Sequence, residues 1–235
     1  MKKLFFLAVT LMACTSVTYA QSDCSYLYPN TEGTTMTTKC YDAQNQLLST
    51  VMYEVSNETD NFTSSSSEIV YSMKDKSGNV VNAGVIENYC DDGNIYMRTR
   101  SKSDVADITK MLSANINLMG SYLDYPNTFP DFDGELDQED ANLTLRVKDN
   151  SQKPVRVRIY NREYEKNESI TTPAGTFDTS KITFRVEVYN GNDKTTKDFK
   201  HVEWYSLGKG IIRAESYDKK NQLLNYTVLT ELKEK

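Results

Sequence analysis

A chain with a single histidine can build only one histidine-dependent engine. His201 lies in FKHVEWY, residues 199–205, and any Ser/His/Asp or Cys/His nucleophile would have to be activated by that one imidazole. No Gly-x-Ser-x-Gly occurs, so no serine sits on the sharp strand-to-helix elbow that such an engine favours. His201 therefore reads as a half-exposed strand residue. One histidine and scattered cysteines also lack the ligand spacing that zinc requires. The segment DFDGELDQED, 131–140, places Asp131, Asp133, Glu135, Asp137 and Glu139 at alternate positions. Extended, they would line one side and could meet a hard cation such as calcium. The EF-hand order fails because Gly134 follows Asp133 directly rather than the third ligand, which leaves like charges on a solvated loop. GKGIIR at 208–213 has neither P-loop spacing nor a following helix and reads as a strand connection. Acids are plentiful, but nothing singles out a pair for glycoside hydrolysis. The single tryptophan, Trp204, reads as core rather than as a sugar platform. The expectation is a protein that is not an enzyme, with no catalytic residue, metal or cofactor assigned.

The cysteines must be read with the N-terminus. Lys2 and Lys3 precede an uncharged apolar run, 4–13, and Thr18-Tyr19-Ala20 sets small residues at −3 and −1 of a cut before Gln21. That is a secretory leader, and its apolar run is too short to span a bilayer. Leu11-Met12-Ala13-Cys14 offers a second route, a lipobox with acylation at Cys14, disfavoured by the Met at −2 and the short stretch before it. Cleavage after Ala20 removes two lysines and no acid, leaving 25 basic against 33 acidic residues, a net charge of −8. Such a charge disfavours nucleic acid and an anionic membrane surface as partners, and no later apolar run approaches a transmembrane span. Cys24, Cys40 and Cys90 survive the cut into an oxidising compartment, where two would pair. Cys40 shares a strand face with Met36 and is expected to be a buried thiol. That leaves a Cys24–Cys90 disulfide, whose loop is worth on the order of 4 kcal/mol in the chain-entropy picture.

The elements behind these residues are strands. Ile182, Phe184, Val186 and Val188 alternate with polar residues. So do Val155, Val157 and Ile159, and so do Val51, Tyr53 and Val55. A period of two with one apolar face is the pattern of antiparallel strands packed on one side, and about ten to thirteen such segments fit between Thr34 and Leu232. The turns between them repeat. YDAQNQLL at 41–48 and YDKKNQLL at 217–224 share Asp at the first turn position and Asn three residues on, and KDKSGNVV at 74–81 has Asp75 and Gly78 in the same places. The Asp side chain caps the turn, and Asn or Gly tolerates the left-handed residue that follows. The repeat is thus hairpin chemistry and not a binding signature. TTPAGTFD adds Pro173 and Gly175 at another reversal. Only SDVADITKML breaks the period, which predicts one short helix over about 104–112. A sheet of so many strands must curl, close or split.

In order along the chain stand YPNTEGTTMTTKCYD, YCDDGNIY, YLDYP, ITTPAGTFDTSKI and EWYSLGKGIIRAESYD. Together they resemble a family of exported Bacteroidota proteins of unknown function, TapB-like, over nearly all of the chain after the leader. The resemblance implies a large curved antiparallel sheet or partial β-barrel, similar in outline to periplasmic carriers of lipid-modified proteins, and it brings no catalytic residues. The organisation expected is a signal peptide over 1–20 and a single β-rich exported domain over 21–235. The function expected is a non-catalytic periplasmic or envelope protein binding a lipid, an acyl chain or a lipidated protein in the curve of the sheet. The alternative is a structural or protein-interaction module with no small ligand.

Overall fold

In a computed structural model of the chain, the described residues are 29–60, 64–91, 94–101, 134–135, 141–145, 155–190 and 195–235. They form twelve strands: β1 Thr35–Asp42, β2 Leu47–Asp60, β3 Ser64–Asp75, β4 Val80–Asp91, β5 Asn94–Ser101, β6 Gly134–Glu135, β7 Ala141–Leu145, β8 Val155–Thr172, β9 Gly175–Asn190, β10 Thr195–Ser206, β11 Gly210–Tyr217 and β12 Leu223–Lys233. All belong to one sheet ordered β5-β4-β3-β2-β1-β12-β11-β10-β9-β8-β6, with β7 also on β8. Every pairing is antiparallel, and the sheet curls into a half-barrel. The expected fold class is thus the observed one. The expected helix at 104–112 lies outside the described residues, as does the acidic segment apart from Gly134 and Glu135.

The alternation read from the sequence is the alternation of burial. Val51, Tyr53 and Val55 are buried, as are Val157, Ile159, Ile182, Phe184, Val186 and Val188. Met36 and Cys40 share the inner face of β1, and Cys40 is a buried thiol that belongs to no disulfide. The main cluster joins Met36 with Val51, Tyr53, Val55, Ile69, Tyr71, Met73 and Ile86 of β2–β4 and with Ile212 and Leu229 of β11 and β12. Full burial of one such side chain stabilises by about 1.5–3 kcal/mol, so this face is where folding draws its main gain.

The repeated turns are built alike. Asp42 Oδ1 accepts hydrogen bonds from the backbone N–H of Gln44 (2.9 Å) and Gln46 (2.8 Å). Asp218 Oδ1 does so from Lys220 (2.7 Å) and Gln222 (2.8 Å), and Asp75 Oδ1 from Ser77 and Asn79 (both 2.9 Å). Asn45 (φ 62°), Asn221 (φ 58°) and Gly78 (φ 85°) take the left-handed position. Asp75 is held below the usual carboxylate range first by the Asn79 backbone bond. Because β1 pairs with β12, with Asp42 opposite Asn225, all three turns fall along one rim of the half-barrel. There Tyr41 stacks on Tyr226 at 5.2 Å, and the Tyr226 hydroxyl donates to Asn45 Oδ1 at 2.9 Å.

The longest strands, β8 and β9, form an arm. Their register slips between Tyr160 and Glu163 and again between Tyr164 and Lys166, and Asn161 has φ 51°. Bulges bend a strand and increase its twist. The bend brings the arm's far end over the inner face, where Ile170, Ala174 and Phe177 pack against the main cluster. Pro173 and Ala174 close the arm, and Gly175 follows at φ 138°.

Candidate functional site

The second half of the inner face is not purely apolar. On β10, side chains 199, 201, 203 and 205 point inward, because Phe199 pairs with Val186, His201 with Phe184, Glu203 with Ile182 and Tyr205 with Ser180. Opposite His201 on β11 stands Ser216. The imidazole Nδ1 lies 3.0 Å from Ser216 Oγ, and Nε2 lies 3.4 Å from Glu203 Oε1. Serine, histidine and acid therefore meet in space. Phe184 and Phe199 flank the imidazole, with ring centroids at 5.0 and 6.4 Å.

Arg162 is buried too, near Tyr205. The alternation Val155, Val157, Ile159 would send Arg162 to the outer face. The bulge at Asn161 shifts the phase by one, so Arg162 and Tyr164 are the buried residues after it. Tyr205 is fully buried, and burial pushes its phenol up. Its bond to Ser180 and the charge of Arg162 oppose that rise.

Acyl transfer would need more than the trio. Ser216 and Glu203 are 5% and 6% exposed, which leaves a substrate carbonyl little access to Oγ. The strands β10 and β11 are paired on both sides, so their N–H groups serve ladders rather than an oxyanion pocket. The geometry instead satisfies buried polar groups. His201, expected half-exposed, is in fact mostly covered, its side chain 12% exposed. A signal for the pair was present in the sequence, since His201 and Glu203 are two apart on one strand. Ser216 and Arg162 had none without register and bulge.

The outer face of the same strands carries a lattice of charges. Lys181 pairs with Glu165. Lys166 lies 2.8 Å from Glu168, Arg185 lies 2.5 Å from Asp198, and Lys219 lies 3.2 Å from Asp198. Burial pushes the Asp198 carboxyl up, but Arg185 and Lys219 outweigh it and hold the group below its ordinary value. Glu168 is lowered by Lys166 first and then by Trp204. Trp204 is 8% exposed, donates Nε1–H to Glu168 Oε1 at 2.7 Å and lies under Lys181. It is a packed residue, as read from the sequence. Residues 206–210 form a turn with Gly208 at φ 70° and Gly210 at φ 85°, and Lys209 N donates to Ser206 O. No group of metal-ligating side chains and no apolar membrane-spanning helix occurs among the described residues. Of the disulfide pair, Cys90 lies in β4 with its backbone opposite Ser65 and Ile95, while Cys24 lies outside the described residues. No disulfide is present among the described residues.

A family model described as DUF3108-like matches residues 31–229. Two crystal structures share the fold over 90% of this chain and 100% of theirs. One, titled a "putative lipoprotein" from Parabacteroides distasonis, is 34% identical with a TM-score of 0.75. The other, titled a "putative exported protein with YmcC-like fold" from Bacteroides fragilis, is 28% identical with a TM-score of 0.74. No curated protein matches the chain.

Proposed function

This chain belongs to the DUF3108-like family, and we propose that it is a non-catalytic protein of the cell envelope, exported by a leader over 1–20, that works through contact with another envelope protein. One observation carries this reading. The inner face of the half-barrel is already filled: the ten residues of its main cluster are at most 8% exposed, and the end of the β8–β9 arm lies on them. A face in that state is a core, and it leaves the outer surface for recognition. There Met52 and Val70, near neighbours on β2 and β3, are 48% and 44% exposed. Relatives titled as lipoprotein and exported protein support the compartment.

A second reading has its own support. Ile170, Ala174 and Phe177 at the arm's end are only partly buried, so the cover is the least anchored part of the core. If it lifts, the exposed aliphatic and tyrosine side chains would suit an acyl chain, free or on a lipidated protein, because such ligands are held in large apolar concavities. Native mass spectrometry of protein purified from its own envelope separates the two. The proposal expects the bare chain mass and a cross-linked protein partner. Co-purifying lipid would establish the second reading and refute the first. Hydrolytic turnover abolished by His201→Ala would refute both.

A further inference from the structure

We propose that the rim bearing the three Asp turns is a docking edge for an anionic lipid surface. The turns at 42–46, 75–79 and 218–222 are equivalent, and each is followed by two aliphatic residues: Leu47-Leu48, Val80-Val81 and Leu223-Leu224. A turn alone asks for no apolar residue after it. Yet Leu48, Val80, Val81 and Leu224 stand 37%, 60%, 47% and 46% exposed. They make up four of the six large hydrophobic side chains found exposed among the described residues. Leu48, Val81 and Leu224 start alternate strands, β2, β4 and β12. With strands about 4.8 Å apart, they recur roughly every 10 Å along the arc.

The charge of the rim opposes that of the chain. The protein as a whole carries −6, but Lys76, Lys219 and Lys220 project from the turns, and Lys39 and Lys74 lie just behind them. Glu215 is paired with Arg213 at 2.6 Å and Asp198 with Arg185. Asp42, Asp75 and Asp218 face back into their own turns but keep their charge, so five lysines stand against three carboxylates and the rim keeps a small positive surplus. Lys219 is partly engaged by Asp198. Salt screens charges beyond roughly 8–10 Å, so an approaching bilayer meets the rim's own field first. Aliphatic tips between lysines form the pattern by which surface segments enter anionic headgroups. This refines the expectation drawn from net charge alone, which disfavoured such a surface, and it is independent of whether the inner face holds a ligand.

The test uses the chain from Gln21 to Lys235, which keeps every described residue, and sedimentation with phosphatidylcholine vesicles that contain or lack phosphatidylglycerol. Binding is expected only with phosphatidylglycerol at ~0.1 M salt, and it should fade towards ~1 M as the Debye length shrinks to about 3 Å. Lys76→Gln with Lys219→Gln and Lys220→Gln should weaken it roughly fivefold per lysine, on the order of a hundredfold together. Leu48→Thr with Val81→Thr and Leu224→Thr keeps strand propensity and should weaken it by about tenfold or more. Hydrogen exchange on the unaltered chain gives a readout free of any folding defect: vesicles should slow residues 42–48, 75–81 and 218–224 and leave 206–210 at the opposite rim unchanged. Absence of vesicle binding overturns the proposal. So does binding that both variants retain, protection elsewhere on the sheet, or rim variants that lose a protein partner while vesicles are ignored.

Discussion

Asn45 and Asn221 occupy the same place in two copies of one motif, yet their side chains have different work, and this yields an ordered prediction. Both residues have φ near 60°. An L-residue with a Cβ is about 1–2 kcal/mol worse there, asparagine being eased by local hydrogen bonding and glycine being free of the clash. Asn45 also accepts the 2.9 Å bond from the Tyr226 hydroxyl, an exposed contact worth about 0.5–1 kcal/mol. Asn221→Gly should then be neutral within ~0.5 kcal/mol, since it keeps the backbone conformation. Asn45→Gly should destabilise by about 0.5–1 kcal/mol through the lost tyrosine bond. Asn221→Ala should cost about 1–2 kcal/mol, and Asn45→Ala about 1.5–3 kcal/mol, the sum of both effects. Urea denaturation reads these as shifts in midpoint at constant slope. Equal effects of glycine and alanine at 221 would refute the argument, because the side chain and not φ would then be what matters. A large loss with Asn221→Gly would show a contact that the turn geometry does not contain.

Two further outcomes are expected. We propose the Cys24–Cys90 disulfide: peptide mapping of unreduced protein should give a 24–90 linkage, while Cys40, 1% exposed and with its thiol pushed up by burial, should alkylate only after unfolding; a bridge involving Cys40 would refute the pairing. Asp198, Glu168 and Asp75 all have folded-state values below their ordinary 3.8, 4.5 and 3.8. Their contribution is therefore complete above those values and is lost as pH falls through and below them. The urea midpoint should drop as pH falls below about 4.5, and Asp198→Asn should flatten that slope; a variant that keeps the full acid dependence would contradict the assignment.

The architecture was legible because its determinants are local. Period-two alternation placed Ile182 to Val188 and Val51 to Val55 on the buried face without knowledge of any partner strand. The spacing of Asp with Asn or Gly fixed three reversals, since a two-bond Asp cap and a left-handed residue are properties of five consecutive residues. Strand order is not local, and the sequence was silent about it. That β1 closes against β12, and so sets the two YD repeats side by side, depends on pairing between the chain's two ends.

The polar cluster shows where the same rule misleads. In FKHVEWYS the apolar residues fall on both parities, and the structure buries both: Phe199 and Tyr205 within, Val202 and Trp204 without. Alternation has information only where one face is wet. On β10 the outer face is roofed by Lys181, Glu168 and their partners, and a lattice of long charged side chains leaves no apolar trace in the sequence. The inner face there could consequently accept His201 and Glu203, provided Ser216 came opposite on β11. Each of the three is tolerable because the others are present. The cluster is thus a property of register, and no reading of single strands could have assembled it.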